Sequence, residues 1–250
     1  MIYKDCIKIW EKGLNKDLTN KFFLNFTYCS NKIRNNETKL RDVEFIFKDK
    51  RATGFNGDQK TIKEIENHKE IFDNIFELSQ ENKSKLSINL IKELHYKLMK
   101  DCYSNELLSR GEKPGRFKKG DYVVGLHDEA SPLGVEEKLS SLLDEINSIV
   151  INEDNALEVV SNLYCYFVQI HPFADGNGLL GRLLINYILL GNNLTPVIIF
   201  YNNTDEYYLA LDYFNKTRKI DKMIEFLEDE AYKTWIKDYN LKIKSLKEFL

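Results

Sequence analysis

Apolar residues recur along this chain mostly at three- and four-residue spacing, the pattern of helices with one buried face. The pattern predicts helices over 5–13 and 17–34, the second carrying Phe22, Phe23, Phe26 and Ile33. Residues 60–80 set Ile62, Ile65, Phe72 and Phe76 on one stripe, and 87–102 do the same with Ile88, Ile91, Leu94 and Leu98. Further helices are predicted over 134–151, 155–170, 178–191, 204–217 and 221–248. Two stretches interrupt the pattern. KDKRATGFNGDQ, residues 48–59, reads as a loop. Residues 111–133 gather Gly111, Pro114, Gly115, Gly120, Gly125 and Pro132 around FKKGDYVVG, which predicts a short β-hairpin among helices. No internal repeat, low-complexity tract or linker divides the chain. The expected fold is mainly α with one small β-hairpin flap.

Composition narrows this only a little. A chain of 250 residues suits one domain. Only 4 prolines and 12 glycines favour long helices over a turn-rich β fold, and 15 Phe with 14 Tyr supply an aromatic core. The net charge of −3 gives no basic footprint for nucleic acid. No apolar run is long enough to cross a membrane, and the charged N-terminus does not resemble a signal peptide, so a cytoplasmic protein is expected. Cys6, Cys29, Cys102 and Cys165 have no metal-ligand spacing and read as reduced core residues.

The chemistry concentrates in His171-Pro-Phe-Ala-Asp-Gly-Asn-Gly-Leu-Leu-Gly-Arg182. Val160, Leu163, Tyr164 and Phe167 form the stripe of one helix, and Pro172 ends it just past His171. A short glycine-rich loop follows, and a second helix opens near Gly178. Free N–H groups, a positive dipole end and close backbone approach make such a turn an anion site. Arg182 lies one turn in, and its side chain leans back toward the helix start, where it can fork a phosphate. Asp175 offers a carboxylate for Mg²⁺ beside that phosphate, and His171 a base that works near neutral pH. Taken singly, the histidine reads as a capping or core residue, the DGNG run as a turn and the arginine as solvated. Their concentration within one loop favours a phosphate-handling site.

This stretch resembles the Fic family signature, H-x-F-x-D/E-G-N-G-R-x-x-R. His171, Phe173, Asp175, Gly176, Asn177, Gly178 and Arg182 match it, whereas Leu179 stands where the first arginine is usual. At roughly 5% usage per residue, seven matches arise by chance on the order of once in 10⁹ windows. The resemblance implies a Fic-type helical bundle that moves AMP from ATP onto a Ser, Thr or Tyr hydroxyl of a target protein, or of itself. His171 would take the hydroxyl proton. Asp175 would bind Mg²⁺ between the α- and β-phosphates. Gly176, Asn177 and Gly178 would form the anion hole, and Arg182 would hold the γ-phosphate.

Three further segments extend the likeness. Residues 112–126 are similar to the family's flap, in which Lys118 replaces an arginine and Tyr122, Val123 and Val124 would register a target strand. EYYLALDYFN, residues 206–215, is similar to the helix whose Tyr208 and Asn215 would line the nucleoside pocket, although spacing alone makes Tyr208 a packing residue. Residues 28–40 resemble the family's self-inhibitory helix, S/T-x-x-x-E-G/N. Ser30 and Asn35 match, but Arg34 occupies the glutamate position and cannot pair with Arg182. The resemblance therefore implies a de-repressed enzyme. It also implies one domain over 1–250, with the catalytic loop and helix at 171–190 and C-terminal helices at 204–250. Two other readings stay open: a Fic-like transferase with a different donor, and an inactive nucleotide-binding module. A homo-oligomer is compatible with the sequence.

Overall fold

The computed structural model describes residues 2–13, 16–48, 59–122 and 131–237. Its elements are α1 (Ile2–Gly13), α2 (Lys16–Arg34), α3 (Leu40–Phe47), α4 (Gln59–Glu81), α5 (Ile88–Met99), α6 (Asn105–Ser109), α7 (Val135–Ser148), α8 (Ala156–Ile170), α9 (Asn177–Gly191), α10 (Thr204–Thr217) and α11 (Asp221–Tyr232). A π turn at Lys233–Lys237 follows. The periodic segments became helices within a few residues of the expected ends, except that the helix expected over 221–248 gives way to the π turn after Tyr232, and residues 238–250, like most of the loop expected at 48–59, lie outside the described residues. Helix α3, eight residues with no side-chain cap at its start, lies in a stretch whose pattern predicted no helix.

Helix α9 is the axis of the fold. Its sequence NGLLGRLLINYILLG is apolar on every face, and residues 179–190 are all buried, as expected of a helix packed on all sides. Helices α2, α4, α5 and α8 surround it. The closest approach is to α8, where Gly181 meets Tyr164. A β-carbon there would lie 2.7 Å from the Tyr164 ring, so only glycine lets the two helices come this near. Arg182 is the one charged residue on α9 and is 3% exposed. A charge carried so deep needs partners, and they come from α2 and α10.

Helices α2 and α4 meet through a polar seam. Thr61, Glu64 and His68 recur on one face of α4 and are buried. Opposite them stand Asn31, Arg34 and Asn35. Asn31 Nδ2 donates to His68 Nδ1 at 2.8 Å, Asn35 Nδ2 to Thr61 Oγ1 at 2.7 Å, and Arg34 Nε to Glu64 Oε1 at 3.0 Å. Because mispaired buried polar groups are costly, this seam fixes the register of α2 on α4.

Aromatic packing joins α1 and α2 to the turn after α11. Trp10 meets Trp235 edge-on with ring centres 5.1 Å apart, and Phe22 stacks on Trp235 at 5.7 Å. All four cysteines are buried and free, as the sequence suggested. No helix among the described residues is long and apolar enough to cross a membrane.

The expected β-hairpin is not present among the described residues. Residues 111–122 form turns, with positive φ at Gly111 and Gly115, and no strand occurs. Glu112 explains the shape. Its buried carboxylate accepts from Lys119 N, Gly120 N and Tyr122 Oη, so it folds the segment back on itself. Val123 and Val124 lie outside the described residues.

Candidate active site

Helix α8 ends at His171, which adopts a left-handed conformation (φ 49°, ψ 61°) while its N–H still bonds Phe167 O at 3.1 Å. Such a backbone is unfavourable for most residues other than glycine, asparagine and aspartate, and it turns the chain sharply into the loop. Asn177 then staples the loop. Its side chain accepts from Phe173 N and donates to Phe173 O. The Asn177 amide thus shapes the turn from inside, and what it can offer an anion is its backbone N–H. Gly176 caps α9 with φ 84°, and no side chain bonds to the first N–H groups of the helix. These N–H groups leave the start of α9 without a side-chain cap, the arrangement that favours an anion.

Two buried groups hold the loop from behind. His95 stacks on Phe173 at 3.6 Å and 6°. Gly115 N donates to its Nδ1 at 2.8 Å, so Nε2 carries the hydrogen and donates to Asp175 O at 2.8 Å. Burial pushes the imidazole down to about 4, which keeps it neutral in this bridging role. The segment expected to be a flap is tied to the same loop, since Lys118 N donates to Pro172 O at 2.9 Å. Lys118 itself is buried, so it is a packed residue and not an exposed strand edge. No local signal in the sequence marks His95, which lies on the apolar stripe of α5.

Gly176 makes the loop sensitive to one methyl group. A β-carbon there would lie 2.6 Å from Met99 Sδ, on a backbone that disfavours side chains. Gly176→Ala is expected to cost about 2–4 kcal/mol of stability, from strain plus overpacking, readable by urea denaturation. A loss under ~1 kcal/mol would show that the loop has another accessible shape.

A cavity of about 290 Å³ opens over the loop, lined by His171, Asp175, Gly176, Asn177, Gly178 and Arg182 from the signature. That is close to the lower end for ligand sites. Tyr208 lines it too and is 53% exposed, so it is a wall residue and not the core aromatic that spacing suggested. Asn215, two turns further along α10, is not among the lining residues. Leu179 faces the cavity with 2% exposure and carries no charge to it.

Helix α2 reaches this cavity, but with a different contact from the one expected. Ser30 holds Arg182: its Oγ accepts from Nε and its backbone carbonyl from Nη2, both at 2.9 Å. Tyr207 Oη accepts from Nη1 at 3.4 Å and also bonds Tyr164 Oη. Burial lowers the pKa of Arg182. No carboxylate pairs with Arg182 among the described residues. The sequence reading left Arg34 without a pair, and the structure corrects this. Nη1 and Nη2 donate to Asp175 Oδ1 and Oδ2 at 2.6 and 2.7 Å, while Nε donates to Glu64. Burial alone would raise the Asp175 carboxyl, but Arg34 outweighs it and holds the carboxyl below its ordinary value. Burial also raises Glu64, whose side chain is 1% exposed, and there it prevails over Arg34.

This arrangement does not fit Mg²⁺ at Asp175. A magnesium ion carried mainly by phosphates needs few protein ligands. Here, however, both oxygens of the one candidate carboxylate accept from a guanidinium, and Oδ1 also accepts from Gly176 N. No group of three or more His, Cys, Asp or Glu suited to a metal occurs among the described residues.

Residues 85–189 match the Fic/DOC family. The chain is 30% identical over 138 residues to protein adenylyltransferase fic-1 of Caenorhabditis elegans, covering 55% of this chain and 26% of that protein. It is 28% identical over 130 residues to protein adenylyltransferase Fic of Nematostella vectensis, covering 52% and 29%. The match thus spans only a quarter to a third of those relatives. Among solved structures, a Fic domain containing signaling protein from Bacteroides thetaiotaomicron superposes with TM-score 0.78 at 20% identity, over 94% of each chain. Fic-1 of C. elegans superposes with TM-score 0.77 at 19% identity, over 98% of this chain and 72% of that one. These likenesses establish the helical fold.

Proposed function

We propose, from the match of residues 85–189 to the Fic/DOC family, that this chain is a protein adenylyltransferase that moves AMP from ATP to a hydroxyl side chain of a target protein. One observation carries the reading: His171, the uncapped start of α9, Arg182 and Tyr208 line a single cavity. Each has a task in that reaction, that of Arg182 being to add positive charge on the γ-phosphate side from its place on Ser30. The acceptor oxygen bonds to the α-phosphorus, the bond from that phosphorus to the bridging oxygen breaks, and pyrophosphate leaves with the bond electrons. The hydroxyl proton passes to the His171 imidazole. Backbone N–H groups of Asn177 and Gly178 take up the developing charge, joined by that of Gly176 once it leaves Asp175 Oδ1, and Tyr208 packs against the nucleoside. Residues 118–122 run beside the loop through the Lys118–Pro172 bond, and a target segment laid over them meets His171. The reading is also of an enzyme free of glutamate-type restraint, supported by the absence of a carboxylate on Arg182 among the described residues. The whole chain acts as one Fic-type unit.

Labelled ATP tests this. Incubation with ATP labelled at the α-phosphate is expected to label protein, and ATP labelled at the γ-phosphate is not. Label from the γ position would mean phosphate transfer instead. Bound ATP without any labelled protein would mean a nucleotide-binding module.

A further inference from the structure

The Arg34 guanidinium donates to both oxygens of Asp175, the carboxylate that would otherwise be open to a divalent cation, and it lines the cavity. Three of its five N–H donors are used, one by Glu64 and two by Asp175. Two donors remain. The side chain lines the same cavity as the uncapped start of α9, with 19% exposure. Glu64 is buried on α4 and Asp175 lies on the loop, so Arg34 is held from both sides and is pre-organised. The other cations are less available. Arg182 has its Nε and Nη2 on Ser30 and Nη1 near Tyr207. Position 179, where the family signature has an arginine, is a buried leucine.

We propose that Arg34 is the resident phosphate-binding cation of this site, taking the charge-neutralising place of a metal ion on Asp175, so that a nucleoside triphosphate binds without requiring a divalent cation. This rests on the reading of the cavity as a nucleotide site and specifies how that site balances phosphate charge. A guanidinium suits the task because its planar donors match two phosphate oxygens and it cannot lose its proton. Burial opposes the charge, but Asp175 and Glu64 more than offset it, and the pKa of Arg34 is raised. Lys60, whose Nζ lies 4.0 Å from Asp175 Oδ2, adds a second cation on the same side. A metal ion would have to expel Arg34 from a bidentate, charge-assisted pair to reach the same oxygens.

Calorimetry with an ATP analogue carrying a methylene between the α- and β-phosphates separates the alternatives. The unmodified chain is titrated in excess EDTA and in Mg²⁺. The dissociation constants are expected to agree within about threefold, and Arg34→Met is expected to weaken the EDTA titration about tenfold or more. Because removing Arg34 leaves two carboxylates unpaired, Arg34→Met with Glu64→Gln is measured as well, and the same weakening is expected. Binding that falls about tenfold in EDTA for the unmodified chain overturns the proposal. So does Arg34→Met binding as tightly as the unmodified chain or more tightly, which would make Arg34 an obstacle to the nucleotide. Failure to transfer the α-label with metal-free binding intact would remove the transferase reading and leave this inference standing. No binding in either buffer would remove both.

Discussion

Replacing His171 with alanine is expected to slow AMP transfer about 10²–10⁴-fold, the usual range for loss of a positioned base. ATP affinity should stay within about threefold, because the imidazole acts on the acceptor proton and not on the phosphates. The backbone needs its own control. His171 sits at φ 49°, where alanine is strained. Asparagine tolerates that conformation and cannot serve as a base, so His171→Asn should be as slow as His171→Ala yet melt closer to the unmodified chain. Transfer by His171→Asn at the unmodified rate would mean that the proton leaves by another route.

Arg34→Glu is expected to lose both stability and transfer. The family pattern predicts that a glutamate here pairs with Arg182 and inhibits without disturbing the fold. The structure changes that expectation, because Glu64 and Asp175 already converge on this position. The substitution brings a third carboxylate beside two that lose their partner. Breaking a buried pair from one side costs about 3–5 kcal/mol, and the partial exposure of Arg34 and Asp175 reduces this to about 1–3 kcal/mol. For a chain of this size that lowers the melting temperature by about 3–10 °C. Adding Glu64→Gln should recover part of the loss. Lost labelling with an unchanged melting temperature would show that the new carboxylate reached Arg182 after all.

The legible parts of this molecule are those whose cause is local in sequence. Helix α9 was readable because an unbroken apolar stretch has to be buried on every side. The loop was readable because base, carboxylate, glycines and arginine lie within one short segment. The Arg34–Asp175 pair was not, since its members are 141 residues apart and each resembles a solvated charge in isolation. The α2–α4 seam was hidden similarly: Thr61, Glu64 and His68 interrupt a stripe that reads as apolar. Residues 111–122 misled for another reason. Glycine and proline announce that the chain turns, but whether strands form depends on where Glu112 finds its donors. Tyr208 shows the converse error, because helical spacing says which residues share a face and not whether that face meets protein or a cavity.

The aromatic cluster of Trp10, Phe22 and Trp235 has an optical consequence. The chain contains 2 tryptophans, and both indoles lie in this one cluster, about 5 Å apart. Ultraviolet emission excited at the red edge of protein absorbance therefore comes from a single place, where α1 and α2 meet the turn after α11. Its intensity and wavelength report whether the two ends of the fold are docked. They carry no direct signal from the loop at 171–182, so a nucleotide that fills the cavity without loosening that docking is expected to leave the spectrum unmoved.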